Sequence, residues 1–266
     1  MRASLSCSNI EIRLKAAGGV GLFQIFAWVV ICVGINSVSY WLYALGYFTQ
    51  EPDYICTYSD GRTAACSEDH FCGNVDVVSH AIDWESERSL HNWRLKFDLE
   101  CEPDYMFALP GSFLFLGWAI SSLWLSPLSD VYGRKRIYLG SLVVGLAIHL
   151  TMFFTTSWWV IIACTFLAGS ISPARLSVGY IYMSEFFPKH AQVAAGTACS
   201  LGEGSILLFQ GIFFWTISTD WRAYFCFTLA TKLFALCVCL FLPASPGVPL
   251  SHGERREAQE GLYRIA

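Results

Sequence analysis

The chain of 266 residues is 55% hydrophobic and 16% aromatic but only 14% charged. Ordinary soluble domains carry about 25% charged residues, so this composition excludes a typical soluble protein and favours one embedded in a membrane. The formal net charge of −4, with no basic run longer than three residues, also excludes a nucleic acid partner.

Six apolar segments each reach the roughly 20 residues that a helix needs to cross about 30 Å of hydrocarbon. They run over Gly19–Phe48, Phe107–Ser129, Ile137–Thr155, Trp158–Phe187, Ala191–Ser218 and Arg222–Leu242. We therefore predict an all-α membrane protein with one six-helix transmembrane domain at residues 19–242. The apolar run after residue 18 is too long for a signal peptide and no small-residue cleavage site follows a short apolar core, so we expect residues 1–18 to form a cytosolic tail.

Positively charged residues near the helix ends predict the orientation, because cytoplasmic loops retain lysine and arginine. With six helices, the cations of the tail, of two turns and of the final segment fall on one side: Arg2, Arg13, Lys15, Arg134, Lys135, Arg136, Lys189, Arg255, Arg256 and Arg264. We expect both termini in the cytoplasm and the chain in the plasma membrane. Residues 243–266 are expected to form a cytosolic linker with a short amphipathic helix.

The first helix carries a polar and aromatic stripe. Asn36, Tyr40, Tyr43 and Tyr47 are spaced by four, three and four residues, so they share one helical face. Such a stripe either lines a water-filled path or packs against a neighbouring helix. Interfacial tyrosines explain Tyr47 and Tyr43, but not Asn36 near the middle of the membrane.

The loop at residues 49–105 holds 13 of the 21 acidic residues and is predicted to lie outside the cell. It also contains Cys56, Cys66, Cys72 and Cys101. An even number of cysteines in an oxidising compartment favours two disulfides, with three possible pairings. A zinc site using His70 and His80 is the alternative, but the tetrahedral ligand spacing is missing. We therefore predict disulfides and no metal.

The fourth and fifth helices each carry a charged residue inside the membrane. Arg175 lies 14 residues before Lys189 and Glu203 lies 14 residues after it, so an antiparallel hairpin would place them at the same depth. We predict that they form a pair. The pair either only locks the hairpin, or it lines a solute path or changes partner between states. Gln210 follows Glu203 at seven-residue spacing and shares its helical face.

Two further basic residues lie inside predicted helices. Lys232 of the sixth helix is either a second partner for Glu203 or extends along its stem towards a polar surface. His149 of the third helix is expected to be a hydrogen-bonded core residue. Gly-rich phosphate loops, GxSxG and HExxH are all missing from the sequence, so we predict neither an enzyme nor a cofactor.

Several motifs resemble the major facilitator superfamily. The turn between the second and third helices is similar to its loop signature, matching at Asp130, Gly133, Arg134, Lys135 and Arg136 and departing at Ser126 and Val131. Tyr182, Glu185 and Pro188 resemble the end of the fourth helix in sugar-porter-like members, and residues 243–266 resemble the linker that follows their sixth helix. The long Cys-bearing loop is similar to the organic cation and anion transporter branch.

This resemblance implies one half of a twelve-helix fold, in which each half contains two inverted three-helix repeats and the substrate lies between the halves. It also implies a cytoplasmic gate in which Asp130 and Arg134 engage Glu185, with Gly133, Lys135 and Arg136 in the same turn. The expected partners are a small organic solute, the lipid bilayer and a second six-helix half, supplied beyond residue 266 or by a dimer.

We therefore predict transport of a small organic solute by alternating access, with this chain as the N-terminal half. Asn36, Tyr40, Tyr43, Arg175, Glu203 and Gln210 are predicted to line the path. Aromatic faces and a carboxylate suit an organic cation, whereas Arg175 favours an anion, so the charge of the solute stays open. The alternatives are a non-transporting six-helix remnant or partner protein, and a sugar-porter-like half-transporter acting as a homodimer.

Overall fold

The computed structural model describes residues 20–73 and 76–243, apart from the side chain of Ser126. The predicted tail at residues 1–18 and the linker beyond Pro243, with its amphipathic helix, lie outside the described residues.

The described part of the chain is mostly helical, and six of its helical segments are long and apolar enough to cross a membrane. The first span is divided into α1 (Leu22–Asn36), α2 (Ser39–Tyr43) and α3 (Leu45–Phe48), and the next five are α6 (Tyr105–Tyr132), α7 (Arg134–Phe154), α8 (Trp158–Ser184), α9 (Lys189–Thr216) and α10 (Trp221–Phe241). Each span begins and ends within about three residues of its predicted bounds. The predicted six-helix membrane fold is confirmed.

The first span is interrupted twice. A turn at Ser37 and Val38 separates α1 from α2, and a second turn at Ala44 separates α2 from α3. The N–H of Ala44 bonds to the carbonyl of Leu42, so the carbonyl of Tyr40 is released from the regular helical ladder. A released carbonyl inside a membrane protein needs another donor, and this carbonyl finds two, as described below.

Small residues bring α6 and α8 into close contact. A Cβ atom at Gly169 would lie 1.9 Å from the carbonyl oxygen of Leu114, and one at Gly117 would lie 2.3 Å from that of Phe166. Neither position can therefore accept a larger side chain without moving a backbone. Small residues of this kind are typical of packed membrane helices, because they maximise van der Waals contact between backbones.

The Cys-bearing loop, residues 49–105, contains a small domain that helix periodicity did not predict. An antiparallel sheet has the order β2-β1-β3, formed by β1 (Tyr54–Tyr58), β2 (Thr63–Cys66) and β3 (Val77–Ile82). Two single-turn helices complete it, α4 (Glu68–Phe71) and α5 (Trp93–Lys96). The predicted disulfides are confirmed as Cys56–Cys66 and Cys72–Cys101. Because these four cysteines are joined in disulfides, they are not available as thiolate ligands for zinc.

A buried ion pair holds α4 against α5. Arg94 pairs with Glu68, and its guanidinium lies 3.8 Å from the ring centroid of Phe107. Burial raises the pKa of the Glu68 carboxyl above its ordinary value, while Arg94 acts in the opposite direction. The pair therefore orders the loop next to the start of α6.

Trp93 anchors the loop to the membrane-spanning helices. Its side chain is completely buried. The indole packs against the rings of Phe48, Trp158, Trp221 and Phe225, with centroid distances of 4.8 to 6.3 Å. These rings come from α3, α8 and α10, so one side chain of the loop joins three of the spans.

Lys96 makes a second contact between the loop and the helices. Its amine donates to the carbonyl oxygen of Phe153 at 3.2 Å and lies 4.5 Å from the ring centroid of Trp221. Burial and the nearby charge of Arg222 lower the pKa of Lys96 to about 8. Beside it, the N–H of Trp221 donates to the carbonyl of His91, which joins the loop to the start of α10.

The two disulfides are expected to differ in their contribution to stability. Cys72 and Cys101 are 29 residues apart, whereas Cys56 and Cys66 are 10 apart. Loop-closure entropy predicts losses of about 3.6 and about 2.7 kcal/mol when the respective pairs are replaced by alanine. Denaturant unfolding of the two double variants measures the difference. A larger loss from the Cys56–Cys66 pair would contradict the prediction.

Candidate functional site

A carboxylate on α9 faces the broken part of the first span. Glu203 accepts hydrogen bonds from the hydroxyl of Ser39 at 2.9 Å and from that of Tyr43 at 3.1 Å. Its side chain is half-buried. No described cation lies within ion-pair distance of it, so its charge is held by neutral donors alone. A half-buried carboxylate held in this way can also receive a positively charged ligand.

The released carbonyl of Tyr40 is bound one turn away. The side-chain amide of Gln210 donates to it at 2.6 Å, and the hydroxyl of Tyr224 donates at 2.9 Å. The Tyr40 ring meets Phe209 and Phe227 edge-on. Gln210 and Tyr224 therefore hold the break in place between α9 and α10.

The polar stripe of the first span lies against α9 along most of its length. Asn36 lies beside Gly202, where a Cβ atom would be 3.7 Å from its Nδ2, and its buried Oδ1 lacks a hydrogen-bond partner. At the other end of the stripe, the Tyr47 ring stacks on Phe214 at 4.8 Å. The stripe therefore packs on α9. The buried Oδ1 of Asn36 and the carboxylate of Glu203 lie along this contact and could both bind a ligand.

A cavity of about 300 Å³ opens at the loop end of this contact. It is lined by Tyr47, Gln50, Glu87, Leu90, Gly211, Phe214 and Trp215. The cavity continues the face of α9 that carries Glu203 and Gln210, because Gly211 lies two turns beyond Glu203 and Phe214 lies one turn beyond Gln210. Aromatic rings and one carboxylate line it, which is again the chemistry that attracts organic cations.

The predicted Arg175–Glu203 pair is wrong. Arg175 is buried on the side of α8 that faces α7 and α10, where its Nη1 lies 2.8 Å from the position of a Cβ atom at Gly145. It makes no ion pair with a described carboxylate, and its Nε and Nη1 lack hydrogen-bond partners. Counting residues from the turn predicts depth, but the direction of a side chain depends on the helix face, which differs here.

The sixth helix also departs from prediction. Lys232 is completely buried, so it does not reach a polar surface, and it forms no ion pair with Glu203. Its amine lies 2.8 Å from Nδ1 of His149, which in turn lies 3.0 Å from the carbonyl oxygen of Gly145. His149 is therefore a hydrogen-bonded core residue, as predicted, but its neighbour is a lysine.

The turn between α6 and α7 brings charged residues of the predicted gate together. Arg134 forms an ion pair with Glu185 at the end of α8, and its Nη2 lies 3.4 Å from Oδ1 of Asp130. The Arg134 Nε and the Glu185 Oε2 are buried without hydrogen-bond partners. The cluster therefore keeps unused hydrogen-bonding capacity.

The remaining residues of this turn have different surroundings. Gly133 has a φ of 90°, a backbone conformation that other residues rarely adopt, so the tight reversal depends on glycine. Lys135 donates to the carbonyl oxygens of Leu240 and Leu242 at the end of α10. Arg136 is exposed and makes no ion pair within the described ranges.

Two contributors to the candidate site were missed from the sequence. Ser39 lies four residues before Tyr43 and shares its helical face, so the spacing contains a signal that could have identified it. Tyr224 lies on α10 and reaches the first span only through tertiary packing. No sequence pattern indicates that contact.

Together, the fold and this site define an integral, multi-pass membrane protein. A sequence profile described as Major Facilitator Superfamily matches residues 104–264. The chain belongs to this superfamily.

Three curated proteins are similar to this chain in sequence. It is 21% identical to "Organic cation transporter 1" of Caenorhabditis elegans, over 97% of this chain and 49% of the relative. It is 22% identical to "Organic cation/carnitine transporter 4" of Arabidopsis thaliana, over 96% and 47%. It is 23% identical to "Solute carrier family 22 member 4" of Mus musculus, over 69% and 34%. The chain thus spans at most about half the length of these relatives, which are transporters rather than enzymes.

Proposed function

We propose that this chain is the N-terminal half of an alternating-access transporter for a small organic cation. The observation that carries the proposal is Glu203, a half-buried carboxylate held by Ser39 and Tyr43 without a described counter-cation. An organic cation supplies the missing positive charge, and neighbouring aromatic faces contribute about 0.5 to 2 kcal/mol through cation–π contacts.

The separation of Arg175 from Glu203 supports a cation over an anion. Arg175 is the residue that favoured an anionic solute, and it lies in a different cluster, towards α7 and α10. The proposed path therefore runs along α9 to the cavity beside Tyr47, and it passes Asn36, Tyr43, Glu203 and Gln210. Tyr40 lies at the break in the first span, where its carbonyl is bound by Gln210 and Tyr224. Two of the named relatives are described as organic cation transporters, which agrees with this choice.

A second six-helix half completes the proposed transporter, either beyond residue 266 or from a second copy. This part of the proposal is supported by the length of the match, because the chain covers only about half of the two organic cation transporters cited above. Large apolar side chains on α6 and α9 are exposed in the isolated half, among them Leu123, Leu208 and Trp215. These are surfaces that the second half or lipid would cover.

In the proposed cycle, the Arg134 cluster is a cytoplasmic latch. Its ion pair with Glu185 stabilises one state of the transporter, and a conformational change requires contacts that differ between states. The proposed orientation places this turn and both termini in the cytoplasm and the Cys-bearing loop outside the plasma membrane.

Uptake of radiolabelled tetraethylammonium into proteoliposomes tests the proposal, with blue native gels recording the oligomeric state. We expect saturable uptake by a dimer of this chain or by a longer chain that contains it. A monomer that binds and moves no solute would instead favour the non-transporting partner protein.

Replacing Val131 with arginine tests the latch. Val131 is 66% exposed beside Asp130, where the superfamily signature has a basic residue. An added surface ion pair is expected to stabilise the protein by about 0.2 to 1 kcal/mol and to slow uptake by holding the latched state. Thermal unfolding and uptake measure both effects, and Val131→Gln is the uncharged control. Unchanged uptake and melting would contradict the gate.

A further inference from the structure

Three basic side chains from three different helices meet inside the bundle. His149 of α7, Arg175 of α8 and Lys232 of α10 are each at most 1% exposed. The amine of Lys232 lies 2.8 Å from the His149 ring. A Cβ atom at Gly145 would lie 2.8 Å from Arg175 Nη1 and 3.7 Å from Lys232 Nζ, so both cations converge on Gly145, where α7 has no side chain. We call this group the buried basic cluster.

Within the described ranges, no carboxylate balances this cluster. Neither Arg175 nor Lys232 forms an ion pair there, and Arg175 Nε and Nη1 are buried without hydrogen-bond partners. The hydroxyls of Ser172 and Thr228, one turn away, donate to carbonyls of their own helices and carry no charge that could balance the two cations. Buried charges in proteins are normally paired, so two converging cations with unused donors indicate a missing anion.

The surroundings of the cluster restrict the size of that anion. The rings of Trp41 and Phe225 each lie 5.3 Å from the His149 ring and are completely buried. Tyr138 lies two turns before Gly145 on the same face of α7, and its hydroxyl donates to the carbonyl of Ile31. An organic solute does not fit among completely buried side chains, whereas a monatomic ion needs only a small displacement of two flexible side chains.

We propose that the buried basic cluster binds a small monovalent inorganic anion such as chloride. The ion is a structural counter-ion that joins α7, α8 and α10, and it is separate from the solute site at Glu203. The proposal goes beyond the proposed transport function and does not depend on it, because the binding is measured without transport.

Thermal unfolding of the purified chain, followed by tryptophan fluorescence, tests the proposal. Chloride replaces gluconate at constant ionic strength and pH 7. Binding to the folded state alone raises Tm, and for a dissociation constant of about 10 mM the expected rise is about 3 to 6 °C at about 150 mM chloride. The rise should saturate. An equal Tm in chloride and gluconate would overturn the proposal.

Two charge-removing variants place the effect at the cluster. In Lys232→Met and Arg175→Gln the chloride-dependent rise in Tm is expected to disappear. The matched control is Arg62→Gln, which removes a cation whose side chain is 81% exposed in the loop and should keep the full rise. A full rise in the folded Lys232→Met or Arg175→Gln variant would contradict the assignment.

Gly145→Ala covers the case in which the charge variants do not fold. Its methyl group would crowd the flexible end of Arg175 without changing any charge. We expect this variant to fold and to need at least tenfold more chloride for the same rise. Iodide gives a positional measurement, since an ion at the cluster quenches Trp41. The saturable quenching should be lost in Trp41→Phe, and its persistence there would place the ion elsewhere.

Discussion

Replacing Glu203 with glutamine is expected to reduce tetraethylammonium uptake by about tenfold or more. The amide keeps the size of the side chain and can still accept from Ser39 and Tyr43, so the fold is retained while the negative charge is lost. A hydrogen bond or contact to a charged group contributes about 1.5 to 3 kcal/mol, and each 1.4 kcal/mol corresponds to a factor of ten in binding.

The same variant can be tested without transport. Tetraethylammonium should raise the Tm of the wild-type chain, and Glu203→Gln should abolish that shift. Glu102→Gln, on the exposed part of the Cys-bearing loop, removes the same charge away from the path and should retain both uptake and the shift. Undiminished binding and uptake by Glu203→Gln would overturn the solute site proposed here, whatever the oligomeric state.

Trp93→Ala is expected to give the largest loss of stability in the described part of the chain. The indole is completely buried among four aromatic rings that come from three spans. Truncation of a buried tryptophan costs about 3 to 5 kcal/mol, because contacts are lost and a cavity remains. For a chain of this size the expected fall in Tm is about 10 °C.

Trp84→Ala is the matched control for this truncation. Trp84 belongs to the same loop but is 50% exposed and stacks only on His91. Its loss should cost about 1 kcal/mol or less. Similar effects of the two variants on Tm would show that the aromatic cluster does not hold the loop to the helices.

The spans and the disulfides could be predicted from the sequence because each depends on a local or compositional property. Crossing the membrane needs a continuous apolar run, and the part of the chain that the structure describes has six of them. Four cysteines in one acidic loop indicate two disulfides, although their pairing follows from the small sheet, whose short strands are hidden among polar residues. The turn signature likewise placed Arg134 near Glu185, since both lie at helix ends.

The direction of buried charges could not be predicted in the same way. Arg175 and Glu203 occupy corresponding positions along a hairpin, yet one faces α7 and α10 and the other faces α2. Which neighbouring helix a buried side chain contacts depends on the rotation of its own helix about the helix axis. Apolar periodicity does not specify that rotation when every face of the helix is apolar. The break at Ser37 and Val38 escaped prediction for a related reason, because neither residue interrupts the apolar run.

The contacts of Trp93 and Lys96 have a mechanical consequence. Trp93 and Lys96 bind the loop ends of the first, third, fourth and sixth spans to one disulfide-bonded domain. We therefore expect these four helix ends to move together with the loop domain. Within the first span, the helical ladder is open between Ser37 and Ala44, so we expect this span to bend there more easily than within its regular helices. Because Ser39 and Tyr43 of this stretch donate to Glu203, we expect a movement of the loop domain to alter the hydrogen bonds of that carboxylate.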